Sequence, residues 1–335
     1  MKKYNVGILG ATGAVGQEML RILEEYNFPI GELRLLASPR SVGKTVSFMG
    51  NEYTIKLAEH AAFEGLDIVL GAASNAVAKE FAPSIVKAGA VFIDNSSAFR
   101  MNDDVPLVVP EINPEDIFKH NGIISNPNCS TIITLVAVNA INKLSKIKAM
   151  NAATYQATSG AGAAGPVELA EQMKAVINGG EIVNNVFQYQ IVENLIPQIG
   201  SFLDNGYTTE EMKMQNEGRK IMHLPELLVN CTCVRVPVVR SHSIALTVVT
   251  EDKLNLEEVR ESIANAGGTK VYDDPANKIY PMPIITSNQD LVYVGRIRKD
   301  LISENGISIW CAGDQVRKGA ATNAIQIMMK LVGLM

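Results

Sequence analysis

The chain has 335 residues, of which 47% are hydrophobic and 19% charged, with a formal net charge of −5. That length suggests roughly two domains with ample core for both, and the slight acidic balance leaves no basic surplus for nucleic acid or any other polyanion. The four cysteines (129, 231, 233 and 311) are too few and scattered for a disulfide framework, and no secretory leader or uninterrupted apolar run of about 18 residues is read, so the expected setting is a reducing cytoplasm without a membrane span.

Residues 4–9 read as a short apolar strand, followed by Gly10-Ala-Thr-Gly13-Ala-Val-Gly16 and a helix over about 14–26. Glycines at a strand-to-helix turn let the backbone approach a pyrophosphate, which then sits on the helix N-terminus. The spacing is GxxGxxG and not the commoner GxGxxG, so a purely structural tight turn is the competing reading. Further strands at 33–37, 68–72 and 91–94, with a helix at about 76–88, give the alternation of a doubly wound parallel sheet and favour the nucleotide.

An NAD site of this kind places a carboxylate at the end of the second strand. Here the segment is Ala37-Ser38-Pro39-Arg40-Ser41-Val42-Gly43-Lys44, with no acidic residue. An arginine flanked by hydroxyls suits a 2′-phosphate through charge-assisted bonds, so NADP(H) is the expected cofactor; a solvated turn with an incidental Arg40 is the alternative.

Residues 123–125 end a strand, Pro127 interrupts regular structure, and Asn128 is suited to cap a helix that opens at Cys129 and runs to about 144. A thiol in the first turn of a helix meets free N–H groups and the positive end of the dipole, which favour the thiolate and make it a nucleophile. The same N–H groups could hold an oxyanion on an attacked carbonyl. The plain alternative is a small buried hydrophobe.

A long strand over 147–156 ends at Gln156, and Ser159-Gly160-Ala-Gly162-Ala-Ala-Gly165-Pro166 reads as a shaped loop before a helix at about 166–178, with Glu168 near its start. Residues 181–207 are polar and irregular. A helix at about 208–221 begins after Thr208 with Glu210 and Glu211 in its first turn, and carries Glu217 and Lys220. Strands follow within 230–250, at 291–298 and at 307–312, and a helix at about 317–333 is expected to return to the first domain. Cys231, Cys233 and His223 have poor ligand spacing, so buried thiols are preferred to a metal site, and no metal is expected.

Taken together, GATGAVG at 10–16, ASPRSVGK at 37–44, DNSSAFRM at 94–101, SNPNCST at 125–131, YQATSGAG at 155–162, RVPVVRSH at 235–242 and GAATNAIQI at 319–327 resemble the aspartate-semialdehyde dehydrogenase family over essentially the whole chain. The resemblance implies an α/β protein: a Rossmann-like doubly wound domain over 1–128, completed by the helix 317–335, plus a mixed α/β catalytic and dimerisation domain of the glyceraldehyde-3-phosphate dehydrogenase type over 129–316. It implies Cys129 as the nucleophile that carries an acyl thioester, His242 as acid/base and Gln156 as the group that orients the substrate. Arg235 would clamp the α-carboxylate and Glu217 the ammonium, while Arg100, Asn128 and Lys220 would meet the phosphate. Gly10, Thr12, Gly13, Ala14, Val15, Ser38, Arg40, Ser41, Ser159, Gly160 and Gln315 would line the cofactor site. Gly218, Gln315, Gln188 and Glu193 depart from the family's usual residues.

The implied reaction is reversible reductive dephosphorylation of L-4-aspartyl phosphate by NADPH to L-aspartate 4-semialdehyde and phosphate. It belongs to the biosynthesis of lysine and diaminopimelate, threonine, methionine and isoleucine. Partners are these small molecules and a second copy of the chain, a tetramer being the further possibility. The competing enzyme is an N-acetyl-γ-glutamyl-phosphate reductase, whose acylated substrate offers no ammonium to Glu217. A non-catalytic nucleotide-binding homologue would lack one of Cys129, Gln156, Arg235 and His242, all of which are present.

Overall fold

The computed structural model describes residues 2–335. The chain divides into two compact units, one made of residues up to Asn128 with Ala320–Met335, the other of Cys129–Gly319. Residues 317–319, grouped with the first domain on sequence, lie in the second unit.

The first unit carries β1 (Tyr4–Leu9), β2 (Ile30–Ala37), a hairpin of β3 (Thr45–Phe48) and β4 (Asn51–Thr54), β5 (Lys56–Leu57), β6 (Ile68–Gly71), β7 (Val91–Asp94) and β8 (Ile123–Ser125). Its helices are α1 (Ala14–Glu25), α2 (Asn75–Lys87) and the closing helix Thr322–Leu331. All strands except the hairpin form one parallel sheet in the order β5-β2-β1-β6-β7-β8. Short β-branched and leucine-rich strands suit such a sheet because both faces are covered. Val6, Ile8, Leu35, Leu70 and Ile93 pack on one face against Met19, Ile22 and Leu23 of α1 and Ile325 and Met328 of the closing helix. Their alternates Leu9, Leu36, Val69 and Phe92 meet Phe81, Ala82 and Ile85 of α2 on the other. The chain runs outward from β1 to β2 on one side and from β6 to β7 on the other, which makes the carboxyl end of β1 a topological switch point.

The second unit is a mixed sheet of β9 (Ile147–Gln156), β10 (Leu228–Arg235), β11 (His242–Thr250), β12 (Thr269–Val271), β13 (Val292–Lys299) and β14 (Gly306–Gly313), in the order β10-β9-β11-β14-β13-β12. Its main helices are α3 (Cys129–Leu144), α4 (Ala164–Asn178), α5 (Thr209–Met222) and α6 (Leu256–Asn265). Helix α3 is buried without a break from Ser130 to Ile141, its few polar side chains (Ser130, Thr131, Thr134 and Asn139) included, as a helix with no continuous polar stripe must be. The segment 181–207 forms neither helix nor extended strand, only single bridges from Ile196 to Arg235 and from Phe202 to Thr208. The hairpin β3–β4, α6 and β12 were not expected from the sequence. The hairpin turns through Met49 and Gly50, both at positive φ (48° and 74°), and methionine is no signal for such a turn.

Candidate active site

Helix α3 begins at Cys129, so the thiol occupies a helical first turn. Space there is tight: a Cβ on Gly319 would lie 2.9 Å from Cys129 Cβ, so only glycine fits beside the nucleophile.

Strand register brings the other groups to the same end of the second sheet. Gln156, the last residue of β9, pairs with Arg235, the last of the parallel strand β10, and β11 runs antiparallel to β9, so it begins at that end with His242. Residues 236–241 cross over the end of β9 to reach β11, tied down by Thr158 N–H to the Val238 carbonyl (2.7 Å) and by the Ser159 hydroxyl to that of Val239 (2.6 Å). Ser241, just before His242, is held at φ +77°, a region disfavoured for a residue with a side chain. Its N–H donates to Gln315 Oε1 (2.8 Å), whose Nε2 in turn donates to the Ser159 hydroxyl. Gln315 thus fixes two loops of the site from within.

His242 is completely buried, and its Nε2 lies 3.4 Å from Cys129 Sγ. Its other nitrogen, Nδ1, accepts the N–H of Ala157 (3.1 Å). A backbone N–H can only donate, so Nδ1 carries no proton and the proton of the neutral ring sits on Nε2, pointing at sulfur. Burial, reinforced by the Arg235 cation, pushes the imidazole pKa down from 6.5 to about 3, against a smaller upward pull from Glu210. Sequence alone leaves the tautomer of His242 open; in the structure the neutral ring presents its Nε2–H to Cys129 Sγ.

Arg235 is buried, and its Nη1 donates to the Ala157 carbonyl (2.7 Å). Burial lowers its pKa, and the charges of Cys129 and Glu210 oppose that shift. A Cβ on Gly160 would stand 2.8 Å from Arg235 Nη1 and 3.0 Å from His242 Cε1. This glycine is therefore required by the convergence of the two side chains. Gln156 Nε2 donates to Glu210 Oε1 (3.2 Å), which turns the amide so that its carbonyl oxygen remains for another partner. Glu210 was read only as a helix-start residue and not as part of the site, although it lies seven residues before Glu217 on α5 and so shares its face. Both are buried, with Lys220 one turn beyond Glu217. No group of three or more His, Cys, Asp or Glu side chains among the described residues could hold a metal ion. Cys231 and Cys233 are buried with their sulfurs 3.7 Å apart.

In the first unit, the glycine turn leaves the carboxyl end of β1. Gly10 takes φ +92° with the Ala72 carbonyl 2.4 Å from where a Cβ would stand, and a Cβ on Gly16 would meet the Gly10 carbonyl at the same distance. Those two glycines serve the chain's own packing. Gly13 differs: it caps α1 with an ordinary extended backbone, it is exposed, and a Cβ there would meet nothing closer than 3.4 Å. Its missing side chain leaves the approach to the helix N-terminus clear, and no side-chain cap or acidic residue occupies that first turn. The turn fits a dinucleotide phosphate. Ser38 and Arg40 lie exposed just beyond β2, and the Ser41 hydroxyl is 3.3 Å from that of Thr12. Arg100 is buried, its guanidinium donating to the carbonyls of Asn126 (3.0 Å) and Asn95 (2.8 Å); Asn128 is buried as well.

Residues 5–120 match the family model described as the semialdehyde dehydrogenase NAD binding domain, and residues 138–318 the one described as the semialdehyde dehydrogenase dimerisation domain. An aspartate-semialdehyde dehydrogenase of Aquifex aeolicus is 51% identical over 333 residues, covering 98% of both chains. The chain belongs to the aspartate-semialdehyde dehydrogenase family. A Bacillus subtilis member is 46% identical over 335 residues, covering 98% of this chain and 97% of its own. The crystal structure of aspartate semialdehyde dehydrogenase II from Vibrio cholerae, complexed with ASA, is similar with a TM-score of 0.95 at 44% identity, over 99% of each chain. The NAD binding domain of the family covers the glycine turn at 10–16, and Cys129 falls between the two matched regions. No helix among the described residues is long and apolar enough to cross a membrane.

Proposed function

We propose that this chain catalyses the reversible interconversion of L-4-aspartyl phosphate and L-aspartate 4-semialdehyde through a thioester on Cys129, with NADP(H) as the preferred cofactor. One observation carries the reading: a thiol in the first turn of a helix lies 3.4 Å from the Nε2 of a buried imidazole whose Nδ1 is committed to a backbone N–H, with a buried arginine alongside. In the oxidative direction the Cys129 thiolate attacks the aldehyde carbon, a C–S bond forms, and the carbonyl electron pair moves to oxygen. The Nε2–H of His242, freed from sulfur once the thioether forms, donates to that oxyanion, and its neutral form means no proton is taken up there. A dinucleotide held at the glycine turn of residues 10–16, with Ser38, Arg40 and Ser41 at its 2′-phosphate, would accept or supply the hydride. A phosphate oxygen then attacks the thioester, the C–S bond breaks, the thiolate returns, and the proton lost by phosphate passes to solvent.

Arg235 presents a planar fork to the α-carboxylate, Glu217 a buried carboxylate to the ammonium, Gln156 its amide carbonyl to the substrate, and Lys220 a cation to the phosphate. Arg100 is the first unit's candidate for a phosphate oxygen, already oriented by two carbonyls. The exposed Arg40, with Ser38 and Ser41, reads the cofactor's 2′-phosphate. The match of residues 138–318 to a dimerisation domain supports a homodimer. A cytoplasmic enzyme of amino-acid biosynthesis fits four free thiols.

Phosphate- and NADP-dependent oxidation of L-aspartate 4-semialdehyde is expected, without oxidation of N-acetylglutamate semialdehyde; the reverse preference would refute the substrate. Arg40→Ala should weaken NADP binding by about 1.5–3 kcal/mol and leave NAD binding nearly unchanged, the scale of a hydrogen bond to a charged group. Equal losses for both cofactors would show that Arg40 does not read the 2′-phosphate.

A further inference from the structure

The segment 181–207 has no secondary structure of its own, yet its middle part is held by two buried side chains of α4. Glu168 receives three successive backbone N–H groups on its carboxylate: Asn185 (2.7 Å), Val186 (2.5 Å) and Phe187 (3.2 Å). One turn on, Gln172 Oε1 accepts Ile191 N–H (2.8 Å) and Val192 N–H (3.2 Å), while its Nε2 donates to the Val183 carbonyl (3.1 Å) and Asn184 Oδ1 (2.9 Å). Gln172 Nε2 also lies 3.4 Å from Glu168 Oε1. An acid and an amide on one face of a helix thus supply what a strand partner would supply, and Leu169, Phe187, Ile191, Val192 and Ile196 close a small apolar core over them.

The held segment leads to one place. Phe187 lays its ring 5.8 Å from the guanidinium carbon of Arg235. Ile196 exchanges both backbone hydrogen bonds with Arg235, at 3.0 and 2.9 Å. The fork of Arg235 is therefore supported on its face by Phe187 and along its backbone by Ile196. Neither support comes from a regular element.

We propose that Glu168 and Gln172 are positioning residues for substrate recognition: they latch residues 183–196 so that Phe187 and Ile196 hold Arg235 in the orientation that receives the substrate carboxylate. The proposal rests on the assignment of Arg235 as the carboxylate clamp. A buried carboxylate suits the role because charge-assisted bonds to three N–H groups are short and directional, and losing the acceptor strands donors in an apolar environment.

The test is a double-mutant cycle on the full enzyme. Glu168→Gln keeps the shape of the side chain but removes the charge, and Phe187→Leu removes only the aromatic face. Each should raise KM for aspartate semialdehyde by about tenfold while kcat and the cofactor KM change by less than about threefold, since a clamp acts through orientation. In an Arg235→Lys background the same substitutions should add less than about twofold, because the fork they orient is gone. Wild-type KM in both Glu168→Gln and Phe187→Leu, or fully multiplicative losses in the double variants, would overturn the latch. Near wild-type efficiency in Arg235→Lys alone would overturn the clamp assignment beneath it, so the two failures are told apart. Phe187→Leu, which leaves the Glu168 carboxylate and its backbone N–H partners in place, keeps the test intact if Glu168→Gln does not fold.

Discussion

At the scale of single residues, the charge state of His242 governs the chemistry. Burial and the neighbouring Arg235 cation favour the neutral ring of His242, whose Nδ1 accepts the Ala157 N–H. Its folded pKa of about 3 lies below the unfolded value of 6.5, so the unfolded chain binds more protons between the two. Stability from this residue is complete above pH 6.5 and is lost as the pH falls toward 3, by up to about 1.4 kcal/mol per unit. Unfolding of the wild type and of His242→Asn, compared from pH 7.5 to 4.5, should show the wild type losing its relative advantage steadily on acidification. A difference that does not change with pH would contradict the buried neutral ring. Cys129 was legible in the sequence because a cap, a proline and an apolar run place it at a helix start. The tautomer of His242 was not, because it depends on one backbone N–H that only the fold delivers. Glu210 and Gly319 were missed for a similar reason: each matters through a neighbour distant in sequence.

At the scale of elements, α5 carries its own boundary signal. Thr208 accepts the Glu211 N–H (3.3 Å) and Glu211 accepts the Thr208 N–H (2.6 Å), a complete capping box that Thr208 followed by acidic residues foretold. Glu211 also accepts the Cys233 N–H (2.9 Å), so the cap is joined to strand β10. Thr208→Ala should cost about 1 kcal/mol in unfolding free energy, the usual worth of an N-cap, while kcat per folded molecule stays unchanged. A large fall in kcat with stability intact would mean that α5 is positioned from elsewhere. Helix α4 shows where such signals end: it opens at Ala164 without a side-chain cap, earlier than Pro166 suggests, and its acid faces inward to the loop. Residues 181–207 lack periodicity because their partners are side chains of α4. Strand register brings Arg235 and His242 to one end of the sheet, since β9 fixes the end at which β10 stops and β11 begins.

At the scale of the whole molecule, the parallel sheet of the first unit was readable from alternating strands and helices, whereas the strand order of the second was not, because its partners are far apart in sequence. The division of labour is plain from the residues: the first unit offers an uncapped helix N-terminus beyond a glycine turn, and the second a thiol, a neutral imidazole and a buried arginine. The remaining thiols set a background against which the nucleophile can be identified. Cys231 is raised far above its ordinary range by its hydrogen bond with Cys233 and by burial, and burial pushes Cys311 up to about 12. The most direct measurement is peptide mass spectrometry after incubating the enzyme with L-4-aspartyl phosphate in the absence of NADPH. An aspartyl adduct confined to the peptide carrying Cys129, and absent from Cys129→Ala, is expected; an adduct on Cys231, Cys233 or Cys311, or turnover surviving in Cys129→Ala, would contradict a thioester mechanism at this residue.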